Sequence, residues 1–367
     1  MRITFVISSL GPGGAERVMT TMANAWSMKG WQITIITLSD SKNDFYELHE
    51  NIQRIPLDQI ADSSNIFQAL KENIKRIYHL RKALHKSKPD VVISFIDIIN
   101  ILTLISAKGL KVPVIVSERA DPGKHQIGRL WNGLRKKTYS GSSALVVQEE
   151  NVRQWALSQW HNLKVQIIHN PIQLAFKNDK EISLPPGKWV MAMGRLVDQK
   201  GFDLLIKAFA MAVTDIPEEW NLLIMGEGEQ RKELENLVKK KGLEKRVSMP
   251  GLVNNPDRYL SLGELFVLSS RYEGFPNALL EAMASGLPVI SFNCPSGPAE
   301  IIHHEVDGIL VEPENIDALS EAIITMIKSD KKRSEFELAG RNNIERFGLE
   351  KILQEWETLI QKLVKQC

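Results

Sequence analysis

The chain has 367 residues, of which 43% are hydrophobic and 25% charged, the composition of an average globular protein rather than of a collagen-like or disordered one. Its length exceeds what one hydrophobic core usually serves, which predicts two domains. Residues 1–175 carry 22 basic and 14 acidic side chains, a net +8 against −6 for the remainder, so the first half either has an anionic partner or is charged for solubility alone.

The first predicted strand, Ile3–Ile7, ends in a glycine-rich loop that opens a helix. Glycines let a ligand approach the backbone closely, and a helix N-terminus favours an anion, so Gly13 and Gly14 are candidate ligand contacts. A dinucleotide-binding fingerprint needs a third glycine where Glu16 stands, which makes an NAD site the weaker interpretation.

No segment is predicted to cross a membrane or to direct secretion. The apolar run at Ile3 is too short for a signal peptide. The most apolar internal stretch, Val91–Ala107, is interrupted by Asp97 and Asn100 and falls short of the roughly 20 apolar residues of a spanning helix. Two cysteines cannot form a disulfide framework. We therefore expect a cytoplasmic protein.

Short runs rich in β-branched residues alternate with helical patterns along the whole chain, which predicts parallel sheets covered by helices. In the first half these runs are Ile3–Ile7, Ile33–Thr37, Val91–Phe95, Val114–Val116, Ala144–Val147 and Val165–Ile168. In the second half they are Val190–Met193, Leu222–Met225, Val247–Met249, Leu265–Leu268, Val289–Phe292 and Gly308–Val311. The fold class is therefore α/β, with two doubly wound domains.

A polar stretch containing Pro185 and Pro186 separates the two halves. We expect an N-terminal domain at residues 1–175, a linker at 176–188, a C-terminal domain at 189–346 and a final helix at 347–367. The final helix has apolar residues at helical spacing and should pack on the body of the protein. These residues are Ile352, Trp356, Leu359, Ile360 and Leu363.

In open parallel sheets, ligands bind beyond the carboxyl ends of the strands. Directly after the strand Val190–Met193 come Gly194 and Arg195, with Lys200 five residues further on. A guanidinium and an ammonium at a strand end can stabilise negative charge on a departing diphosphate, although solvated surface cations are commoner.

The strongest pattern follows the strand Leu265–Leu268. Pro276 suits the first position of a helix and Gly286 lies past its end, so the amides of Gly274, Phe275 and Asn277 are predicted to be free for an anion. Glu281 shares a polar face with Asn277, where its carboxylate can accept two hydrogen bonds from a ribose. A plain amphipathic helix after a turn is the structural alternative.

Residues 273–290, Glu-Gly-Phe-Pro-Asn-Ala-Leu-Leu-Glu-Ala-Met-Ala-Ser-Gly-Leu-Pro-Val-Ile, resemble the family four retaining glycosyltransferases nearly letter by letter. The carboxylates of Glu273 and Glu281 match the E-x7-E signature of that family. The resemblance implies the GT-B fold, with two doubly wound domains facing each other across a cleft. The donor would bind mainly to the second domain and the acceptor to the first.

The resemblance also implies residue roles. The catalytic residues would be Arg195, Lys200 and Glu273. The donor would be bound by Gly14, Gly194, Glu227, Gly228, Leu252, Gly274, Phe275, Pro276, Asn277 and Glu281. The acceptor or sugar side would include Gly13, Glu16, Arg119 and Glu300. Arg119 is a departure from the family pattern, because many members place a histidine there, and arginine cannot act as a base.

The implied reaction is retaining transfer of a hexosyl group from a nucleotide diphosphate sugar, expected to be a UDP sugar, to a lipid-linked glycan in bacterial polysaccharide or glycan assembly. The chain has no Asp-x-Asp motif and no metal-ligand spacing, so we expect no metal, no cofactor and no nucleic-acid partner. The alternatives are a nucleotide-sugar epimerase of the same fold and a catalytically silent nucleotide-sugar binding protein.

Two basic stretches predict peripheral docking on an anionic membrane, at the inner face of the plasma membrane. Residues 71–88 hold seven cations and one acid, with Ile74, Ile77, Leu80 and Leu84 at helical spacing. Residues 124–137 hold five cations and no acid, with apolar residues between them. The alternative is that both apolar stripes face the domain core and the cations are merely solvated.

Overall fold

The computed structural model describes residues 1–42, 44–59, 66–120, 122, 123, 125–173 and 184–366. The chain divides into two compact units, one formed by Met1–Pro171 with Leu349–Cys367 and the other by Ile172–Gly348. Residues 176–183 of the linker expected at 176–188 lie outside the described residues.

The first unit is built on a parallel sheet that has seven strands within the described residues, in the order β3-β2-β1-β4-β5-β6-β7. The strands are β1 Arg2–Ile7, β2 Gln32–Thr37, β3 Gln53–Pro56, β4 Val91–Phe95, β5 Val114–Ser117, β6 Ala144–Val147 and β7 Val165–Ile167. Six of them confirm the predicted runs, whereas β3, at the edge of the sheet, was not predicted.

Helices cover both faces of this sheet. They are α1 Gly14–Met28, α2 Ile66–Ser87, α3 Asp97–Ala107, α4 Gly128–Thr138 and α5 Glu150–Gln159. Successive side chains of β1 enter opposite layers, because Phe5 packs in the layer of α1 and Val6 packs in the layer of α2 and α3. Burial on both faces explains why the strands are continuous apolar runs.

The second unit repeats this plan with six strands among its described residues, in the order β10-β9-β8-β11-β12-β13. The strands are β8 Lys188–Met193, β9 Trp220–Met225, β10 Val247–Gly251, β11 Leu265–Leu268, β12 Val289–Phe292 and β13 Ile309–Val311. The helices are α6 Phe202–Ala212, α7 Arg231–Lys240, α8 Pro256–Leu260, α9 Asn277–Ala284, α10 Pro298–Ile301, α11 Ile316–Lys328 and α12 Asp330–Ile344. All six predicted strands of this half are confirmed.

The final helix, α13 (Leu349–Val364), belongs to the first unit. Its predicted apolar stripe is fully buried in the core beside Phe5 and Trp26. The indole of Trp26 donates a hydrogen bond to Glu357 Oε1 at 2.9 Å, and the rings of Phe95 and Trp356 lie 6.3 Å apart. The helix therefore completes a core that begins at the first strand.

The apolar stripe predicted on α2 is wrong, because its four residues do not lie on one face of the helix. Leu80 and Leu84 are completely buried in the first unit, and Ile77 packs against the same core. Ile74, in contrast, has 59% of its surface exposed. The 3.6-residue period could not separate the two faces because both carry apolar side chains. No described helix is both long and apolar enough to span a bilayer.

Candidate active site

Strand order reverses within the sheet of the second unit. The chain runs from β8 outward to β9 and β10, then returns to pair β11 with β8 on the other side. The carboxyl ends of β8 and β11 are therefore neighbours at a topological switch point, where ligands of open parallel sheets bind. Both loops that leave this point contain residues predicted to be catalytic.

Lys200 and Glu273 meet at the switch point in an ion pair. Lys200 Nζ donates to Glu273 Oε1 at 2.6 Å, and Ser270 Oγ donates to the same oxygen at 2.6 Å. The two side chains are only 16% and 6% exposed, so the pair is weakly screened by solvent. Both hydrogen bonds fall on Oε1, which leaves Oε2 of Glu273 for a hydroxyl of a bound ligand.

Two glycines make this arrangement possible. The methylene groups of Lys200 lie 3.2–3.3 Å from the place that a Cβ of Gly194 would occupy, so the lysine stem lies directly over the backbone at the end of β8. Gly226, after β9, has φ +140°, and a Cβ there would collide with the carbonyl oxygen of Gly194. A side chain at Gly194 would press on the lysine stem, and one at Gly226 would displace the backbone of Gly194.

Arg271 is a part of the site that the sequence analysis missed. Its guanidinium donates to Asp203 at 3.0 and 3.2 Å and to the carbonyl oxygen of Asp198 at 2.6 Å. Burial alone would raise the pKa of Asp203, but hydrogen bonds from Arg271 and Lys207 lower it below its usual value. These contacts fasten the loop after β11 to the segment between β8 and α6.

The other predicted donor contacts lie on neighbouring strand ends. Arg195 is exposed, and its guanidinium has no hydrogen-bond or ion-pair partner among the described residues. Glu227 and Gly228 follow β9, and the carboxylate of Glu227 is held by Arg231 at 2.6 Å. Leu252 follows β10 and is exposed.

The segment before α9 differs from its prediction. Pro276 is the residue before the helix rather than its first residue, and Asn277 opens it. The amide of Asn277 donates to the carbonyl oxygen of Phe275 at 3.0 Å, so the prediction of a free amide there is wrong. The turn closes on itself before the helix begins. Gly274 leads into this turn, and Phe275 is buried against Phe347.

Glu281 lies in the middle of α9 and is buried, together with Leu279, Leu280 and Met283. A carboxylate is rarely buried unless it binds a partner. Glu300, predicted on the acceptor or sugar side, lies in the short helix α10 and is partly exposed, while its carbonyl oxygen accepts a hydrogen bond from Arg346.

In the first unit, the predicted contacts after β1 form a helix start. Gly13 has an extended backbone and precedes Gly14, the first residue of α1. The carboxylate of Glu16 lies against Gly13, where a Cβ would collide with it, and the hydroxyl of Tyr46 donates to the Gly13 carbonyl oxygen at 3.1 Å. The position of Glu16 is that of the acid in a capping box.

Arg119 lies beyond the end of β5, with its guanidinium 3.6 Å from the ring centre of Phe95. Nη1 donates to Asn170 Oδ1, while Nε and Nη2 are buried without a hydrogen-bond partner among the described residues. Burial lowers the pKa of Arg119 to about 9, which still leaves it charged at neutral pH. A buried cation with unused donors fits a phosphate or a sugar hydroxyl.

A buried polar network beside Arg119 was not foreseen from the sequence. Tyr139 donates to Glu118 Oε1 at 2.6 Å, and Arg135 lies 3.6 Å from the same oxygen. Burial and the nearby charge of Asp97 raise the pKa of Glu118 to about 7, against the opposing effects of Tyr139 and Arg135.

Two family models match successive parts of the chain. Residues 12–176 match the model described as Glycosyltransferase Family 4, and residues 176–343 match Glycosyl transferases group 1. The chain belongs to the family 4 glycosyltransferases. The second model includes the switch-point residues of the glycosyltransferase, and the first begins at Pro12, within the loop after β1.

Relatives of known name match over almost the whole glycosyltransferase. A Campylobacter jejuni GalNAc-α-(1→4)-GalNAc-α-(1→3)-diNAcBac-PP-undecaprenol α-1,4-N-acetyl-D-galactosaminyltransferase is 29% identical over 99% of each chain. The N-acetylgalactosamine-N,N'-diacetylbacillosaminyl-diphospho-undecaprenol 4-α-N-acetylgalactosaminyltransferase of the same species is 28% identical over 96% of this chain and 98% of the relative. These relatives act on lipid-linked glycans in a bacterium.

A solved structure supports the fold. The structure of a Staphylococcus aureus TarM variant with fondaparinux, α-GlcNAc-glycerol and UDP has a TM-score of 0.80 at 16% identity, over 98% of this chain and all of that one. At this identity the likeness shows the fold alone, which is GT-B, as predicted. No group of three or more His, Cys, Asp or Glu residues in the described parts of the chain could hold a metal ion.

Proposed function

We propose that this glycosyltransferase moves a hexosyl group, with retention of configuration, from a UDP sugar to a lipid-linked glycan during bacterial polysaccharide or glycan assembly. The observation that carries the proposal is the Lys200–Glu273 pair at the switch point of the second unit. The names of the two Campylobacter relatives support the acceptor class and suggest an N-acetylhexosamine as the sugar. UDP bound to TarM supports uracil as the base of the donor nucleotide.

In this proposal the second unit binds the donor. Glu281 accepts hydrogen bonds from the ribose hydroxyls, and the diphosphate lies near Arg195 and Lys200. As the bond from the sugar to the diphosphate breaks, negative charge grows on the phosphate oxygen, and the two cations stabilise it. Lys200 then interacts with both Glu273 and the phosphate, while Glu273 Oε2 accepts a hydrogen bond from a sugar hydroxyl.

The cations provide this stabilisation without a divalent metal. We therefore expect sugar transfer to persist in excess EDTA after dialysis. The assay measures release of the nucleoside diphosphate from a panel of UDP-GalNAc, UDP-GlcNAc, UDP-glucose, UDP-galactose and GDP-mannose, with a GalNAc-terminated polyprenyl diphosphate glycan as acceptor.

Three results of this assay would contradict the proposal. Activity that disappears in EDTA and returns with magnesium or manganese would show that the cations are insufficient. Conversion of the donor to another nucleotide sugar without an acceptor would indicate an epimerase. Binding of a nucleotide sugar without turnover would indicate a silent binding protein.

We further propose that the first unit docks on anionic lipid at the cytoplasmic face of the membrane. The evidence is a row of exposed apolar side chains on α2, Leu70, Ile74 and Tyr78, which repeats every four residues. Lys71 and Lys82 lie beside this row on the same exposed face. Leu130 of α4 is also exposed, at 72%.

Other cations of α2 already have partners within the protein. Arg81 donates to the carbonyl oxygens of Ser106 and Lys108 at 2.8 and 2.7 Å, and Lys75 pairs with Glu72 at 2.8 Å. The docking surface is therefore defined as Leu70, Ile74 and Tyr78 with Lys71, Lys82 and Lys86. An apolar row beside lysines is typical of interfacial helices.

We expect the protein to sediment with phosphatidylglycerol vesicles at low salt and to be released by high salt. Replacing Lys71, Lys82 and Lys86 with glutamine should weaken binding about 100-fold, since each cation near an anionic surface contributes about 1 kcal/mol. Ile74→Ser should also weaken binding, and Leu338→Ser, at an exposed apolar residue of the second unit, is its matched control. Wild-type protein that remains in the supernatant at low salt would disprove docking.

A further inference from the structure

The switch point of the first unit carries a second pair of ionisable side chains. Strand order reverses between β1 and β4, because β2 and β3 continue on one side and β5 to β7 on the other. Asp97 begins α3 one residue after β4, at the carboxyl edge of this reversal. By the rule that applies to Lys200 and Glu273, a ligand of the first unit is expected here.

The backbone that presents Asp97 is strained and firmly held. Ile96 has φ +76°, a left-handed conformation that is strongly unfavourable for a β-branched residue. Its amide donates to the carbonyl oxygen of Ser117 at 3.2 Å, and its own carbonyl oxygen accepts from the amide of Asn100 at 2.8 Å. Such strain persists where the surroundings fix it, and it clusters at functional sites.

Asp97 in turn faces one histidine. Its Oδ1 accepts from the amide of Ile98 at 2.7 Å, and its Oδ2 lies 3.4 Å from His125 Nε2. The aspartate side chain is 6% exposed and the imidazole 54% exposed. In the described parts of the chain, no other residue forms a hydrogen bond or ion pair with His125.

A buried carboxylate that faces one nitrogen of an imidazole favours the proton on that nitrogen and leaves the other as an acceptor. Nδ1 of His125 can therefore accept a hydrogen bond from the hydroxyl group of a ligand that approaches from the solvent side. A diphosphate is a poor ligand for His125 itself, because the carboxylate of Asp97 lies 3.4 Å from its ring and would repel it. A neutral sugar hydroxyl meets no such penalty.

We propose that His125, oriented by Asp97, binds the attacking hydroxyl of the sugar acceptor through Nδ1. This inference rests on the proposed function and adds an acceptor contact to it. Asp97 is a positioning residue, because it acts through the imidazole.

The test compares His125→Ala and Asp97→Asn with the wild type in three measurements. These are kcat/KM for the polyprenyl diphosphate glycan, Kd for UDP, and hydrolysis of the UDP sugar without acceptor. We expect His125→Ala to lower kcat/KM for the acceptor about 10-fold, the value of one hydrogen bond, while Kd and hydrolysis stay within about twofold of the wild-type values. Asp97→Asn should raise the acceptor KM, and His125→Gln should restore part of the loss.

His303→Ala is the matched control, because His303 Nδ1 lies 2.9 Å from the buried Asp307 in the second unit. Acceptor kinetics that are unchanged in His125→Ala would overturn the inference, as would an equal loss of transfer and hydrolysis or an equal loss in His303→Ala. Wild-type protein that uses no nucleotide sugar would overturn the proposed function as well. If the wild-type protein transfers sugar and His125→Ala does so at the same rate, this inference alone would be overturned.

Discussion

Replacing Lys200 with alanine is expected to lower kcat for sugar transfer about 100-fold or more, with a smaller change in Kd for UDP. The reason is that the ammonium group stabilises charge that grows on the phosphate as the donor bond breaks, so its contribution is larger in the transition state than in the bound complex. Removing it also leaves Glu273 buried with one remaining donor, the hydroxyl of Ser270. Initial rates at saturating donor and acceptor measure the effect.

Lys200→Met is a useful second variant, because methionine keeps most of the aliphatic stem that packs over Gly194. If its thermal midpoint is that of the wild type while kcat remains low, the loss belongs to the charge and not to the fold. Lys207→Ala is the control. Lys207 is a more exposed lysine of α6, and it pairs with Asp203 of the same helix. Near wild-type turnover in both Lys200 variants would show that the catalytic centre is elsewhere.

Replacing Glu281 with alanine is expected to weaken UDP binding roughly 10- to 100-fold, with a smaller effect on kcat at saturating donor. A buried carboxylate forms charge-assisted hydrogen bonds with hydroxyls, each worth about 1.5–3 kcal/mol. The ribose does not change during transfer, so the lost contacts weaken binding of the ground state and of the transition state alike. The variant should therefore have a higher KM for the donor and a nearly unchanged kcat. Calorimetric titration with UDP measures Kd directly.

Two comparisons make the Glu281 result specific. Glu281→Gln keeps the shape of the side chain and should lose less affinity than alanine. Glu321→Ala, at an exposed glutamate of α11, should bind UDP as the wild type does. Unchanged UDP affinity in Glu281→Ala, or equal weakening in Glu321→Ala, would argue against a ribose contact.

The strands could be predicted well because their physical cause is local. Strands buried on both faces must be apolar and are bounded by turn residues, so β4, β6, β11 and β12 have the ends that the sequence indicates. β3 could not be found in this way. Its sequence, Gln53-Arg-Ile-Pro56, is partly exposed at the sheet edge, where pairing with β2 rather than an apolar pattern defines the strand.

The candidate site could be predicted only as far as its loops. Residues after strand ends lie at one edge of a parallel sheet, so the sequence could group Lys200 with Glu273. It could not reveal that Ser270 shares the same carboxylate oxygen, or that Arg271 fastens the two loops across 73 positions, because both contacts depend on side-chain geometry. The amide of Asn277 was mistaken for free because a local turn uses it before the helix starts.

The placement of α13 in the first unit determines the order in which this protein can mature on the ribosome. The core around Phe5 and Trp26 stays open on one side until α13, with Trp356, has been synthesised. At about 5–20 residues per second, the growing chain spends roughly 10–40 seconds with this apolar surface exposed. The second unit is continuous in sequence and can fold during that interval, so the later half of the chain is complete before the earlier half.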